Sequence, residues 1–277
     1  MSTSDWGRWL LDEVAATDPS SVDLWYLGCN GFILKGADGT TLMIDPYLGT
    51  GDPPRTIRMV PIPFDPAGVD ALDAMLLTHE HTDHTHGPSQ APILESTGAR
   101  CYAPAAAHAK ATETEAWPSR YGVDAHQIIE VGPGDEFDVG GFSITVIETH
   151  DPDAVDPVGF IIDHPGGTIV HIGDARPSAD LGDVGDSYDI DIAIAAFGTA
   201  GMIPDKQTGE LVRTEWYSDA DDIITVAQQL RCERLIPSHW DMWKGLTADP
   251  RGVVDHARSF PYPKHVEVLE IGDSTAL

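Results

Sequence analysis

Short apolar segments alternate with turn-forming residues along most of the chain, and this pattern predicts a strand-rich protein. In the strand-like segments, apolar residues run together or alternate with polar ones, and each segment ends near Gly, Pro, Asn or Asp. These segments are residues 22–27, 32–35, 40–45, 74–78, 127–131, 142–149, 158–163, 168–173, 190–196 and 266–271. Residues 50–68 are rich in Pro and Gly, which predicts a loop.

Helical spacing occurs between the strand-like segments. The predicted helices are 88–96, 104–117 and 219–230, after a short amphipathic stretch at 6–14. Strand-rich halves that each end in helices predict an α+β fold, an αββα sandwich in which two mixed sheets pack face to face with helices outside. A chain of 277 residues is within the reach of one hydrophobic core, so we expect a single domain over residues 1–277.

The strongest chemical signal is the HxHxDH motif of residues 79–84, which directly follows the apolar run 75–77. Residues two apart on an extended segment point the same way, so His79 and His81 are expected to hold one metal ion. The turn that follows directs Asp83 and His84 toward a second ion. One short loop therefore predicts ligands for two ions.

Three further residues lie where predicted strands end, and they complete the candidate ligand set: His150, Asp174 and His239. Two ions about 3.5 to 4 Å apart need a shared ligand, and a carboxylate with two oxygens supplies one, so Asp174 is the expected bridge. His79, His81 and His150 then hold one ion, and Asp83, His84 and His239 hold the other. Asp83 and Asp174 are the candidate catalytic residues.

Other polar residues near these positions have two interpretations each. Asp45 hydrogen-bonds a ligand histidine or only begins a turn, and Asp241 supports His239 or caps the turn that follows. His171 orients a ligand or lines the core. The three cysteines (Cys29, Cys101 and Cys232) are far apart and form no CxxC pair, so we expect small buried hydrophobic residues rather than metal ligands.

The motif, the strand-end His150, the Gly-Asp pair at 173–174 and the final His239 together resemble the metallo-β-lactamase superfamily. Within it, the chain is similar to the L-ascorbate-6-phosphate lactonase family, through segments 6–10, 25–31, 49–51, 171–174 and 237–243. The resemblance implies the αββα fold, a metal-dependent hydrolase and two divalent ions, either Zn or Mn. The lactonases have a longer C-terminal region and an acidic residue near the position of His150, so Asp151 is the alternative ligand there.

The net charge of the chain limits the classes of function that it can have. The chain has 45 acidic residues, 32 of them Asp, against 16 basic ones, of which 5 are Lys, and its net charge is −29. Molar salt shortens the Debye length to about 3 Å and relieves the self-repulsion of such a surface, which favours a halophilic source over a merely acidic mesophilic one. A nuclease would need a basic face, so no nucleic-acid partner is expected.

Three classes of function fit the ligand set: a lactonase, a phosphodiesterase or nuclease, and a protein that binds metal without turnover. We favour a lactonase that uses a metal-bound hydroxide to open a small anionic lactone, such as a phosphorylated sugar lactone. Nitrogen and oxygen ligands suit Zn, Mn or Fe. Arg176 and Lys244 follow ligand positions and are the candidate contacts for the anion.

The expected setting is cytoplasmic, because the chain has no apolar run of 18 residues and its N-terminus carries acidic residues where a signal peptide needs basic ones. No membrane partner is expected. The sequence leaves a homo-oligomer open.

Overall fold

The structure, a computed structural model, describes residues 4–198 and 201–277. The strands of the described residues, in chain order, are β1 (Val22–Gly28), β2 (Gly31–Gly36), β3 (Thr41–Ile44), β4 (Ala74–Leu76), β5 (Arg100–Ala103), β6 (Ile128–Glu130), β7 (Glu136–Val139), β8 (Phe142–Glu148), β9 (Val158–His164), β10 (Gly167–His171), β11 (Ile192–Ala196), β12 (Gly201–Pro204), β13 (Leu211–Thr214), β14 (Arg234–Ser238), β15 (His265–Val266) and β16 (Ser274–Ala276). The α-helices there are α1 (Trp9–Ala16), α2 (Gly87–Thr97), α3 (Ala105–Ala109), α4 (Trp117–Tyr121), α5 (Ala179–Ser187), α6 (Ala220–Leu230) and α7 (Arg251–Ala257).

The two mixed sheets combine antiparallel and parallel strands in the same way. The first has the strand order β16-β1-β2-β3-β4-β5-β6, and the second has the order β15-β14-β11-β10-β9-β8-β7. Each contains an antiparallel meander, β1-β2-β3 in the first and β7-β8-β9-β10 in the second. Each then continues with parallel strands, which begin at β3-β4 and at β10-β11. β12 and β13 form a separate two-stranded hairpin.

Successive side chains of each strand point to different layers of the fold. In β1, Leu24 and Tyr26 face the second sheet, while Trp25 and Leu27 face the helices α1 and α2, because successive residues of a strand point to opposite faces. The outer face of the second sheet packs against α5, α6 and α7, for example through Val170. Helices, two sheets and helices thus form four layers, which confirms the predicted αββα sandwich.

Carboxyl ends of the central strands of both sheets meet at one edge of the sandwich. β3 ends at Ile44 and β4 at Leu76 in the first sheet, and β10 ends at His171 and β14 at Ser238 in the second. Loops that leave strands at this end carry side chains outward, clear of the apolar core. This edge is therefore where polar residues from distant parts of the sequence come together.

Two predicted elements differ from the structure. The predicted helix 104–117 is broken into α3, a π-helical turn (Lys110–Thr114) and α4, because Ala116 adopts a left-handed φ of 50° and Pro118 lacks the amide hydrogen that would continue the helix. The predicted last strand, 266–271, is a short β15. The chain then turns at Gly272 and adds β16 to the edge of β1.

Among the described residues, no helix is both long enough and apolar enough to cross a membrane.

Candidate metal centre

The residues of the HxHxDH motif lie in the loop after β4, at the edge where the strand ends meet. The loop enters this edge because β4 is fully buried, and its last carbonyl is bound by the backbone N–H of Asp45. His79 and His84 are completely buried, whereas His81 keeps 35% of its side chain exposed. The motif therefore forms the floor of a site that opens to solvent on one side.

The first ligand group is a set of four side chains: His79, His81, Asp151 and Asp174. The Nε2 atom of His79 is 3.0 Å from Nδ1 of His81 and 3.7 Å from Oδ2 of Asp151. His81 Nδ1 lies at the same distance of 3.7 Å from that carboxylate oxygen. Two nitrogens and two carboxylates that converge at this spacing form a donor set for a divalent ion.

The second ligand group is formed by Cys29, Asp83, His84 and His239. The Nε2 atom of His239 is 3.3 Å from Oδ2 of Asp83 and 3.0 Å from the sulfur of Cys29. Its imidazole stacks on the ring of Tyr217, with the two centroids 4.0 Å apart. This group is more deeply buried than the first and includes a sulfur donor.

Asp174 lies between the two groups. Its Oδ2 atom is 3.9 Å from Nε2 of His79, in the first group, and 3.2 Å from Nε2 of His84, in the second. Its Oδ1 atom accepts a hydrogen bond of 2.8 Å from the buried side-chain amide of Asn30. The residue expected to bridge two ions is thus the one carboxylate in the described part of the chain that belongs to one group and touches a histidine of the other.

His150 is not part of either group, which corrects its predicted place in the ligand set. Its Nε2 atom is 2.7 Å from Oδ2 of Asp180, and half of its side chain is exposed. After β8 the chain directs His150 outward and the next residue inward, because neighbouring residues of an extended segment point to opposite sides. Asp151, the alternative named from the sequence, occupies the position instead, with 5% of its side chain exposed.

Asp45 holds the second ligand group from behind. Its Oδ2 atom is 2.8 Å from Nδ1 of His84 and accepts a hydrogen bond from the Thr78 hydroxyl, while its Oδ1 accepts from the Thr78 backbone. A carboxylate on one imidazole nitrogen fixes the ring and leaves the other nitrogen for a metal. Asp45 has a φ of 41°, so the turn after β3 is strained in order to aim this side chain.

The other two candidate supporting residues act at a greater distance. The His171 ring accepts from the Gly173 backbone through Nδ1 and lies 3.0 Å from the carbonyl oxygen of Asn30. Asp241 accepts a hydrogen bond from the Tyr26 hydroxyl, and that hydroxyl accepts one from the backbone N–H of His239. Neither side chain touches a ring nitrogen of the two ligand groups. Both fix the backbone around the site.

The charged groups of the site favour the binding of a cation. Burial, together with the nearby His84, lowers the pKa of His79 and keeps its ring neutral, the form that binds a metal. Burial also favours a neutral His84, but the carboxylates of Asp174 and Asp45 outweigh it and raise the pKa of that ring. Burial and the adjacent Asp174 raise the pKa of Asp151. Burial would raise the pKa of Asp174 itself, but the nearby His84 and His239 outweigh it and lower that pKa, so a positive ion at the site would favour the ionised form of Asp151 beside it.

One buried atom gives a direct test of whether a metal fits. The Nε2 atom of His84 is buried and has no hydrogen-bond partner among the described residues, although its Nδ1 is bound by Asp45. Buried polar atoms are nearly always paired, so an unpaired one needs an explanation. It faces the carboxylate of Asp174 at 3.2 Å without hydrogen-bond geometry. The residues of the site fit a divalent ion at this nitrogen.

A cavity of about 440 Å³ opens above the two ligand groups. Its floor includes His81, Asp83, Asp151 and Asp174, and aromatic side chains form much of its wall: Tyr47, Trp216, Tyr217 and Trp243. The cavity size suits a small molecule rather than a polymer. Aromatic walls offer flat apolar contacts to a ring.

The two cations predicted to contact an anionic substrate do not line this cavity. Arg176 donates to the backbone carbonyl of Glu215 and pairs with Asp222 at 3.6 Å, and it lines a neighbouring cavity together with His150 and Asp151. Lys244 is exposed on a neighbouring turn. The cavity is lined instead by Arg55, which lies over the Trp216 ring, and by Lys206.

The fold and the paired His and Asp groups define a class of protein, the metal-dependent hydrolases built on an αββα sandwich. Residues 40–240 match the model of the beta-lactamase superfamily domain. The chain belongs to the beta-lactamase superfamily.

Relatives agree with this class. The probable L-ascorbate-6-phosphate lactonase UlaG of Escherichia fergusonii is 27% identical over 293 aligned positions, which cover 90% of this chain and 78% of the relative. The metallo hydrolase Igni18 of Ignicoccus hospitalis has a similar structure, with a TM-score of 0.65 and 22% identity over 92% of this chain and 97% of that one. An isothiocyanate hydrolase from Delia radicum gut bacteria has a TM-score of 0.68 and 18% identity over 92% and 99% of the two chains.

Sequence reasoning missed three residues of the site: Cys29, Asn30 and Tyr217. Cys29 and Asn30 lie in the turn between β1 and β2, where the chain reverses with a non-glycine residue at a φ of 57°. The segment Cys29-Asn30-Gly31 signals a turn, but nothing in it indicates that the turn reaches the metal site. Tyr217 follows the hairpin β12-β13 and has no local signal.

Proposed function

We propose that this protein is a binuclear metal-dependent lactonase that opens a small anionic lactone ring. The observation that carries the proposal is the pair of ligand groups that meet at Asp174 beneath a cavity of small-molecule size. The similarity to a probable L-ascorbate-6-phosphate lactonase supports the reaction class. Hydrolysis adds water across the ring C–O bond, so that the products are a carboxylate and a hydroxyl.

Seven of the eight donors suit divalent ions such as Zn or Mn, and the first ligand group contains only nitrogen and oxygen. Divalent ions in such a site lower the pKa of water and polarise a carbonyl oxygen. Asp174 and Asp83 are the proposed catalytic carboxylates, because both join a ligand group and line the cavity floor. Asp45 and Asn30 keep the ligands His84 and Asp174 oriented.

An anionic substrate is supported by the distribution of charge in the cavity. Arg55 and Lys206 are two of only 16 basic residues in the chain, and both line this cavity. The Nε atom of Arg55 is buried and has no hydrogen-bond partner among the described residues. A guanidinium that retains free donors binds phosphate or carboxylate with paired hydrogen bonds. The two ions offset the carboxylates of the floor.

The test compares substitutions of two arginines by their effect on KM. Each variant is assayed with L-ascorbate 6-phosphate and with an uncharged lactone. Arg55→Ala is expected to raise KM for the phosphorylated lactone by about tenfold, which corresponds to the loss of about 1.5 kcal/mol of charge-assisted hydrogen bonding. KM for the uncharged lactone should change little. Arg176→Ala is the matched control and should leave both values unchanged, because Arg176 does not line this cavity and is held by Glu215 and Asp222.

Two outcomes would contradict the proposal. Equal effects of Arg55→Ala on both lactones would remove Arg55 from substrate binding. A metal-loaded protein that cleaves bis(p-nitrophenyl) phosphate but no lactone would move the function to the phosphodiesterase class. The six carboxylates of the cavity lining, against two cations, already disfavour a polyanionic nucleic acid as substrate.

A further inference from the structure

Cys29 is a cysteine inside the candidate metal centre. Its sulfur is fully buried and lies 3.0 Å from Nε2 of His239 and 3.7 Å from Oδ2 of Asp83. Donor atoms around one tetrahedral zinc ion are about 3.3 to 3.6 Å apart, as follows from Zn–S and Zn–N bonds of about 2.3 and 2.0 Å. The two distances of the sulfur lie on either side of this range, within about 0.3 Å of it, so the sulfur lies near the spacing of a ligand atom relative to two other candidate ligands.

The backbone fixes this sulfur together with His239. Cys29 has a φ of 57°, a conformation that a residue with a side chain rarely adopts. Its carbonyl oxygen accepts a hydrogen bond of 2.7 Å from the backbone N–H of His239 and another of 3.0 Å from the Tyr26 hydroxyl. The same contacts therefore set the position of the thiol and that of the histidine, which also has a positive φ of 66°.

An independent observation indicates a ligand at this group. The Nε2 atom of His84, a member of the group, is buried and has no hydrogen-bond partner among the described residues, although the Asp174 carboxylate lies 3.2 Å from it. The other two cysteines lack such surroundings. Cys101 lies in the core between β5 and the helices, and Cys232 has a weak contact with the carbonyl oxygen of Ala227. Among the described residues, Cys29 is the cysteine whose sulfur contacts ionisable side chains.

We infer that Cys29 is a thiolate ligand of the ion in the second ligand group, an inference that rests on the proposed binuclear centre. The two groups then differ chemically: the first offers two nitrogens and two oxygens, and the second offers two nitrogens, one oxygen and one sulfur. Coordination displaces the thiol proton, which leaves to solvent as the ion binds. A soft sulfur ligand selects Zn over Mn, whereas the first group accepts either.

X-ray absorption at the zinc edge tests the inference on the unmodified protein. The full chain, freed of metal and loaded with two equivalents of zinc, should show a sulfur scatterer at about 2.3 Å in addition to nitrogen and oxygen at about 2.0 to 2.1 Å. A spectrum fitted by nitrogen and oxygen alone would overturn the inference. The measurement involves no substrate, so its result is independent of whether the protein is a lactonase.

Loading with cobalt, combined with two matched cysteine variants, identifies the residue that supplies the sulfur. Protein loaded with Co(II) should absorb strongly in the near ultraviolet through thiolate-to-cobalt charge transfer. Cys29→Ser should lose this band, while Cys232→Ser, a change at another buried cysteine, should keep it. Retention of the band in Cys29→Ser would also overturn the inference. The zinc-edge result on the unmodified chain remains decisive if Cys29→Ser fails to fold.

Discussion

The two ligand groups differ in how the chain builds them. The first takes His79 and His81 from one short motif and is open to solvent at His81. Each group takes two side chains from the HxHxDH motif and one from each of two other segments, but the second spans residues 29–239, against 79–174 in the first, and is more deeply buried, with His84 and His239 fully enclosed. Local spacing therefore determines half of each group, and tertiary structure brings in the other ligands, which lie farther apart in the chain in the second group. The comparison implies that the second group depends more on its supporting residues.

The largest effect is expected for Asp174→Ala, because Asp174 is the carboxylate that touches histidines of both groups. Its removal should lower kcat/KM by about a thousand-fold, which corresponds to about 4 kcal/mol of transition-state stabilisation. Steady-state kinetics with saturating metal gives the value. Full activity would mean that the two groups do not act as one centre.

A pair of neighbouring variants tests the composition of the first group. Asp151→Ala removes a ligand of that group and should reduce bound metal from about two ions to one, with a loss of activity of about a hundred-fold or more. His150→Ala is the control. His150 forms a half-exposed pair with Asp180, which is worth at most about 1 kcal/mol of stability, so metal content should stay unchanged. The reverse pattern would restore His150 as the ligand.

A substitution of Asp45 tests how strongly the second ligand group depends on the residue that orients His84. Asp45→Asn keeps the size of the side chain but weakens the contact with Nδ1 of His84, and metal affinity should fall by about 10- to 100-fold. Asp241→Asn is the matched change, at a partly buried carboxylate that binds Tyr26 instead of a ring nitrogen. Isothermal titration of each variant with zinc measures the affinities. Equal losses in both variants would mean that any buried carboxylate near the site has this effect.

The smallest effect is expected from added salt. It distinguishes the exposed carboxylates of the surface from the buried carboxylates of the site. Salt screens exposed charges and acts much less on buried ones, so KCl should relieve the repulsion created by the net charge of −29. The melting temperature is expected to rise from dilute to molar KCl, by about 2 to 4 °C for each kcal/mol gained. A flat or falling curve would reject the halophilic interpretation. Calorimetry in a series of KCl concentrations is sufficient.

The αββα architecture could be predicted from the sequence because period-two and helical patterns are local. The same holds for His79, His81, Asp83 and His84, whose spacing alone signals a metal. Asp151 was harder to predict than its neighbour His150, because histidine is the commoner ligand and the direction of a side chain after β8 depends on where the strand ends.

Cys29 was expected to pack as a small hydrophobic residue, and the structure places its buried sulfur beside His239 and Asp83. An isolated buried cysteine usually packs as a small hydrophobic residue, as Cys101 and Cys232 do here. Only the approach of the β1-β2 turn to the end of β14 brings its sulfur to His239, through contacts 210 residues apart in the chain. Similarly, Arg55 becomes a candidate substrate contact only because the loop after β3 folds over the cavity.

The central claim is a centre of two ions held by two ligand groups that meet at Asp174. Elemental analysis of the full chain, after loading with zinc or manganese and removal of free metal, tests it most directly. About two ions per chain are expected, because each group provides a complete set of donors. One ion per chain or fewer at saturating metal would contradict it.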